Sequence, residues 1–257
     1  MYLRLFYIVI ALFCICSCNN APRKTDALNL KSKAANKKAP TDTVTKKPRP
    51  VFGYRFVISG DFDGDGKPEK LIERFHDGIT DKETNKFYEA DYDYSHNMAF
   101  KRKTHSFLEC DKPSVNRLEI NSGGSFGLLY LKNEGDLNGD GNDEVSYVTN
   151  NADWSSLNSY TILTYKHGKW NTLYWFPIWE WQLPPLPEAA NAYGIAGIDQ
   201  IVVIKSDTTN QRLLKELVAF KGLAKKISNK KLQIIYRSPE ISEDTIIVNL
   251  KDRHPKL

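Results

Sequence analysis

Two short stretches of this chain share a pattern that few folds can accommodate. Residues 60–69 read Gly60-Asp61-Phe62-Asp63-Gly64-Asp65-Gly66-Lys67-Pro68-Glu69, and residues 135–144 read Gly135-Asp136-Leu137-Asn138-Gly139-Asp140-Gly141-Asn142-Asp143-Glu144. Counted from the first aspartate, both place side-chain oxygens at positions 1, 3, 5 and 9. These are Asp61, Asp63, Asp65 and Glu69 in the first loop, and Asp136, Asn138, Asp140 and Glu144 in the second. Both have glycine at positions 4 and 6. Alternate residues of a tight coil point inward together, and glycine allows backbone conformations that other residues resist. Crowding these groups into one coil costs repulsion unless a cation sits among them. Lys67 is the one basic residue inside either loop, and its side chain can face solvent. Calcium, a hard cation taking six to eight oxygens at about 2.3–2.6 Å, matches this donor set. The backbone carbonyl at position 7, Lys67 or Asn142, supplies a further oxygen, with water completing the sphere.

An EF-hand needs a bidentate glutamate at position 12. Here those positions hold Ile72 and Tyr147. The flanking segments are β-branched and alternating rather than helical, which also excludes a dockerin-like arrangement. An acidic loop of the form Asp-x-Asp/Asn-Gly-Asp-Gly-x-x-Asp/Glu, followed by an apolar strand, resembles the FG-GAP or VCBS-type repeat. The phrase Tyr160-Thr-Ile-Leu-Thr-Tyr-Lys-His-Gly-Lys-Trp170 is similar to the hairpins that follow such loops. The resemblance implies that each loop joins neighbouring strands of a β-propeller blade and holds calcium through positions 1, 3, 5 and 9. It covers about a third of the body, and the Phe-Gly and Gly-Ala-Pro signatures of the family are not evident. The loop starts lie 75 residues apart, longer than a usual blade. The 207 residues after position 50 suffice for three or four blades, whereas propellers typically close with about four to eight. The expected fold is therefore mainly β, with antiparallel sheets in a small or partial propeller-like domain; a β-sandwich is the alternative.

Elsewhere the strand signals are conventional. Tyr54–Ser59, Leu71–Phe75, Val145–Thr149, Ile201–Ile204, Leu232–Tyr236 and Thr245–Leu250 are β-branched or alternating runs. Arg117–Ile120 and Leu128–Lys132 flank Asn121–Gly124 and predict a hairpin. Tyr160–Tyr165 and Trp170–Trp175 around His167-Gly168-Lys169 predict another. Leu213, Leu217, Phe220, Ala224 and Ile227 fall at helical spacing, predicting a short helix near 211–227 that Gly222 interrupts, with two strands around Gly222 as the alternative.

The N-terminus imposes a different constraint. The apolar stretch Leu5–Cys16 follows the single charge Arg4 and is well short of the ~20 residues that span a bilayer. It reads as an export signal. Ile15-Cys16-Ser17-Cys18 resembles the lipobox of bacterial lipoproteins, which implies cleavage after residue 17 and acylation of Cys18, an anchor stable with two or more chains. Residues 18–50 form a basic, low-complexity segment without aromatics, expected to be a flexible tether. Residues 19–50 hold nine Lys or Arg against Asp26 and Asp42, leaving residues 51–257 at a net charge of −3. The basic character thus belongs to the tether, where it suits anionic headgroups, and gives no case for nucleic-acid binding. The expected location is the cell envelope. Asn19-Asn20 lacks the acidic run of surface-exported lipoproteins, favouring the periplasmic side of the outer membrane. Cys110 alone remains in the body, so no internal disulfide is expected.

Other candidates carry less. Trp170, Tyr174, Trp175, Phe176, Trp179 and Trp181 form an aromatic run. Most are expected in the core, with Trp179 and Trp181, beside Pro184-Pro185, the exposed pair available to a glycan or protein partner. Gly123-Gly124-Ser125-Phe126-Gly127 matches a nucleophile elbow formally, but that motif needs a following helix, and a strand is predicted. The five histidines show no ligand spacing, and Asp91 and Asp93 read as solvated loop residues. No catalytic set emerges. The sequence points to an anchored, calcium-stabilised binding or structural module. An enzyme or accessory of polysaccharide processing is the competing expectation, and a purely structural protein, with the Trp179–Trp181 region buried, is a third.

Overall fold

Burial along Glu69–Asp77 alternates strictly, with Glu69, Leu71, Glu73, Phe75 and Asp77 inside, the two-residue period of a strand with one face on a core. The computed structural model describes residues 50–86, 92–120, 124–153, 155–187, 189–192, 201–203, 208–237 and 242–251. All lie within the compact unit Lys46–Leu257. The signal segment, Cys18 and the tether expected at 18–50 fall outside the described residues, apart from Pro50.

In chain order the strands are β1 (Pro50–Phe52), β2 (Val57–Gly60), β3 (Glu69–Asp77), β4 (Lys82–Glu83), β5 (His105–Cys110), β6 (Leu118–Ile120), β7 (Ser125–Gly135), β8 (Glu144–Asn151), β9 (Leu157–Lys166) and β10 (Lys169–Trp179). They continue with β11 (Ala189–Ala192), β12 (Ile201–Val203), β13 (Ala224–Ser228), β14 (Lys231–Arg237) and β15 (Glu243–Asn249). Helix α1 spans Tyr92–Arg102 and α2 spans Thr208–Ala219. The protein is mainly β, and among the described residues every strand pairing is antiparallel.

The strands form four sheets. One runs β2-β3-β5-β6 with β4 added to β3, a second β7-β8-β9-β10, a third β13-β14-β15, and a fourth β1-β11-β12. Tyr130, Val148, Tyr160, Ile162, Phe176, Leu232, Ile234 and Val248 pack the second sheet against the third. Phe56, Leu71, Leu108, Leu128, Val145 and Leu163 join the first sheet to the second. That second core is pinned by charge as well. Glu73 accepts hydrogen bonds from the Leu128 amide (3.0 Å), the Phe56 amide (3.2 Å) and the Ser106 hydroxyl (2.8 Å), and its carboxylate lies 2.7 Å from Lys86 Nζ.

Three expectations are corrected. The helix ends at Ala219; Phe220–Gly222 is a connection, and Ala224 and Ile227 lie on β13. Gly222, three residues past the last helical residue, takes φ +85°, a left-handed conformation that glycine adopts without a Cβ penalty and that leads the chain into β13. The strands flanking Asn121–Gly124 do not pair. β6 turns back onto β5 (Leu108↔Leu118), and β7 starts the next sheet. Asp93 belongs to α1 rather than a loop, while Asp91 is outside the described residues. The His167–Gly168 hairpin forms as expected, Lys169 pairing with Lys166.

Candidate metal centre

Each acidic loop closes a hairpin. The first joins β2 to β3, with Gly60 opposite Glu69. The second joins β7 to β8, with Gly135 opposite Glu144. Positions 0 and 9 are therefore paired residues of a ladder, and the intervening eight residues must coil back within one strand spacing. All four loop glycines take positive φ, from +77° at Gly64 to +97° at Gly141, conformations that a Cβ penalises.

The two coils share one internal scheme. The position-1 carboxylate accepts from the amides at positions 4 and 6: Asp61 from Gly64 (2.9 Å) and Gly66 (2.8 Å), Asp136 from Gly139 (2.6 Å) and Gly141 (3.3 Å). The position-5 carboxylate accepts from the amide at position 7, Asp65 from Lys67 (2.9 Å) and Asp140 from Asn142 (3.2 Å). The position-9 glutamate reaches back to the amide at position 2, Glu69 to Phe62 (3.0 Å) and Glu144 to Leu137 (2.6 Å). Sequence reasoning passed over position 2. Phe62 and Leu137 are both buried, Phe62 in the core shared by the first two sheets and Leu137 in the core of the second and third. An apolar residue between two acids in both copies was the available signal: it turns away from the oxygens and anchors the coil.

In the first loop Asp61, Asp63, Asp65 and Glu69 each bring one oxygen within 4.8 Å of the others. Oxygens on one calcium ion stand at most about 5 Å apart, twice the bond length, so the four fit one ion. Lys112, from the turn after β5, places its ammonium among them. It lies 2.7 Å from Asp63, 2.7 Å from Asp65 and 3.1 Å from Glu69. Its hydrogen bonds to Asp63 and Asp65 hold its pKa well above the ordinary lysine range, and the bond to Lys112 lowers that of Asp65. Lys67 is the one basic residue inside either loop; the cation that meets this cluster comes from outside both, and no local signal links position 112 to it.

The second loop is looser. The Asn138 amide nitrogen donates to Glu144 (2.6 Å), and Lys166 Nζ lies 3.3 Å from Asp140. Glu144 is fully buried, and burial pushes its carboxyl up to about 7 against the pull of its hydrogen bonds. The loops also touch. The Asp61 amide donates to Asp143 Oδ2 (3.1 Å), and the Asp143 amide donates to the Asp61 carbonyl (2.7 Å). Asn133 Nδ2 bridges Asp143 (2.7 Å) and the Ser59 carbonyl (2.9 Å). Asn142 is held by the Tyr165 carbonyl (2.7 Å).

The other candidates disperse. Trp181 is 59% exposed, on a single 3₁₀ turn after β10, while Trp179 is half-buried under the Arg237 guanidinium, 4.7 Å from its ring centre. Tyr174 and Phe176 are core. Ser125 starts β7, so no helix follows the elbow-like glycines. His96 lies edge-on to Phe100 in α1, and His76 and His105 stand beside Phe107 on the first sheet.

No family model matches the chain, and neither a curated protein nor a solved structure matches it. The fold and its loops therefore define the class by themselves: a mainly antiparallel β protein with paired acidic hairpin loops.

Proposed function

We propose that this chain is a lipid-anchored protein of the bacterial envelope, held at Cys18, whose body is a calcium-stabilised β-domain of FG-GAP/VCBS type. Its role is that of a binding or structural module. The observation that carries this reading is the repeated hydrogen-bond scheme of two loops 75 residues apart, one gathering four carboxylates with a lysine ammonium in the place of a cation. Calcium is assigned to Asp61, Asp63, Asp65 and Glu69 with the Lys67 carbonyl, and to Asp136, Asn138, Asp140 and Glu144 with the Asn142 carbonyl. When bound, the ion supplies cross-linking within each hairpin and no chemistry. The four antiparallel sheets, one of them an up-and-down run of four consecutive strands, β7 to β10, support a small propeller. Trp181 is the surface assigned to a glycan or protein partner.

The test is thermal melting of chelated protein with and without added calcium. Extracellular calcium modules bind at about 10⁻⁴–10⁻³ M, so 10 mM calcium stabilises each site by about 1.4–2.7 kcal/mol. For a domain of this size that raises Tm by roughly 3–10 °C. Asp65→Ala and Asp140→Ala each remove one site's share. Identical melting with and without calcium, in protein verified metal-free, overturns the reading.

A further inference from the structure

We propose that the cleft between the second and third sheets binds a small organic anion with an apolar body, at a site that borders the second acidic loop without using its calcium ligands. The cavity measures about 450 Å³, within the range of small-molecule sites. Its charge is one-sided: Lys132, Lys221, Lys225 and Lys226 line it against the single carboxylate of Glu134.

That carboxylate is already engaged. Its side chain is 2% exposed, and it accepts from the Tyr160 hydroxyl (2.5 Å), the Ser146 hydroxyl (2.6 Å) and Lys132 Nζ (2.6 Å). Lys226 is committed to the Asp136 carbonyl. The ammonium groups of Lys221 and Lys225 have no partner among the described residues, and both residues are exposed. A buried hydroxyl also stands behind the lining. The Tyr130 hydroxyl is buried without a hydrogen-bond partner. It lies directly behind Gly222, where a Cβ would stand 2.9 Å from it, 3.1 Å from Lys132 Nζ and 3.2 Å from the Tyr160 hydroxyl. The remaining wall is apolar, made of Leu137, Leu223, Ala224 and Ile235. Uncommitted ammonium groups at the rim select a negative head, and the apolar wall selects a hydrocarbon or ring body. The head is a carboxylate, sulfonate or phosphate, chemistries that share this recognition.

The wall is fixed by what it is built from. Leu137 is the core anchor of the second acidic loop, and Ile235 is held through its amide by the Leu223 carbonyl at 2.9 Å. The cleft is therefore formed before any ligand arrives.

The experiment uses the full chain carrying Cys18→Ser, so that no acyl group competes for an apolar probe. The probe is 8-anilinonaphthalene-1-sulfonate in equilibrium dialysis, compared with N-phenyl-1-naphthylamine, a closely related ring system without the sulfonate. The expected result is one saturable sulfonate site, at least fivefold tighter than the uncharged probe. Lys221→Met with Lys225→Met should weaken it at least fivefold, whereas Lys82→Met with Lys101→Met should leave it unchanged. Thr245→Trp, at an exposed lining position, should abolish binding without lowering the melting temperature. Competition by octanoate against octyl phosphate then distinguishes a carboxylate from a phosphate source. Equal binding of both probes, equal loss in the two lysine pairs, or unchanged binding in Thr245→Trp overturns the proposal.

Discussion

Lys86→Met is the most demanding test of how the two loop-bearing sheets are joined. The Lys86 and Glu73 side chains are both fully buried and 2.7 Å apart. Burial pulls the Lys86 ammonium down to about 8, with the Glu73 charge resisting. Replacing lysine with methionine keeps the packing over Phe56 but strands a carboxylate with neutral donors only, namely two amides and the Ser106 hydroxyl. Removing one partner of a buried pair costs about 3–5 kcal/mol; the three donors offset part of that, so roughly 3 kcal/mol is expected. Against a typical total of about 5–15 kcal/mol the loss is large, and it is measurable by urea unfolding followed by tryptophan fluorescence. Glu73→Gln added to Lys86→Met removes the stranded charge, so the double variant should be more stable than the single. A loss below about 1 kcal/mol in Lys86→Met, or a double variant less stable than it, refutes the claim that this pair fastens the sheets.

Lys112→Met should lower stability in chelator yet tighten calcium binding at the first loop, because the ion no longer displaces an ammonium from Asp63, Asp65 and Glu69; calorimetric titration showing equal or weaker binding sinks this assignment. Asp143→Ala, at position 8 and outside the ligand set, should cost about 1–3 kcal/mol by orphaning the Asp61 amide and removing one of the bonds that hold the Asn133 side chain, read by urea unfolding. Alkaline stability follows from the tyrosines. Burial pushes Tyr54 up to about 12 and raises Tyr130, Tyr147 and Tyr160 as well. Above pH 10 the unfolded chain loses phenolic protons that the folded chain keeps, so stability falls as pH rises, by roughly 2–3 kcal/mol for Tyr54 alone by pH 12. A melting temperature flat from pH 10 to 12 contradicts it.

What the sequence made legible was local. The acidic loops declare themselves because donor spacing, glycine placement and flanking alternation all lie within ten residues, and β9–β10 because a Gly turn separates two β-rich runs. The Asn121–Gly124 hairpin failed because β6 finds its partner behind it, on β5, and a turn signal cannot choose between sheets. Helix α1 escaped notice because Tyr92–Arg102 has no continuous apolar stripe. The helix near 211–227 was overrun because Ala224 and Ile227 keep helical spacing beyond Gly222, whose φ of +85° had already turned the chain. Lys112 was invisible for a simpler reason: it meets Asp65 across 47 residues and Glu69 across 43, a distance over which pattern carries no information.

The backbone exchange between Asp61 and Asp143 has a consequence for the order in which the molecule is assembled. The first loop is complete as a sequence by Glu69, yet the carboxylate that fastens its opening amide arrives 82 residues after Asp61. A chain emerging amino terminus first therefore carries an unfinished loop until β8 begins. Closing so long a span is entropically slow, and in the meantime Lys112, which emerges earlier, offsets the repulsion among the clustered acids of the first hairpin. Docking of the second hairpin is then the event that converts two weak local turns into one rigid, jointly formed unit.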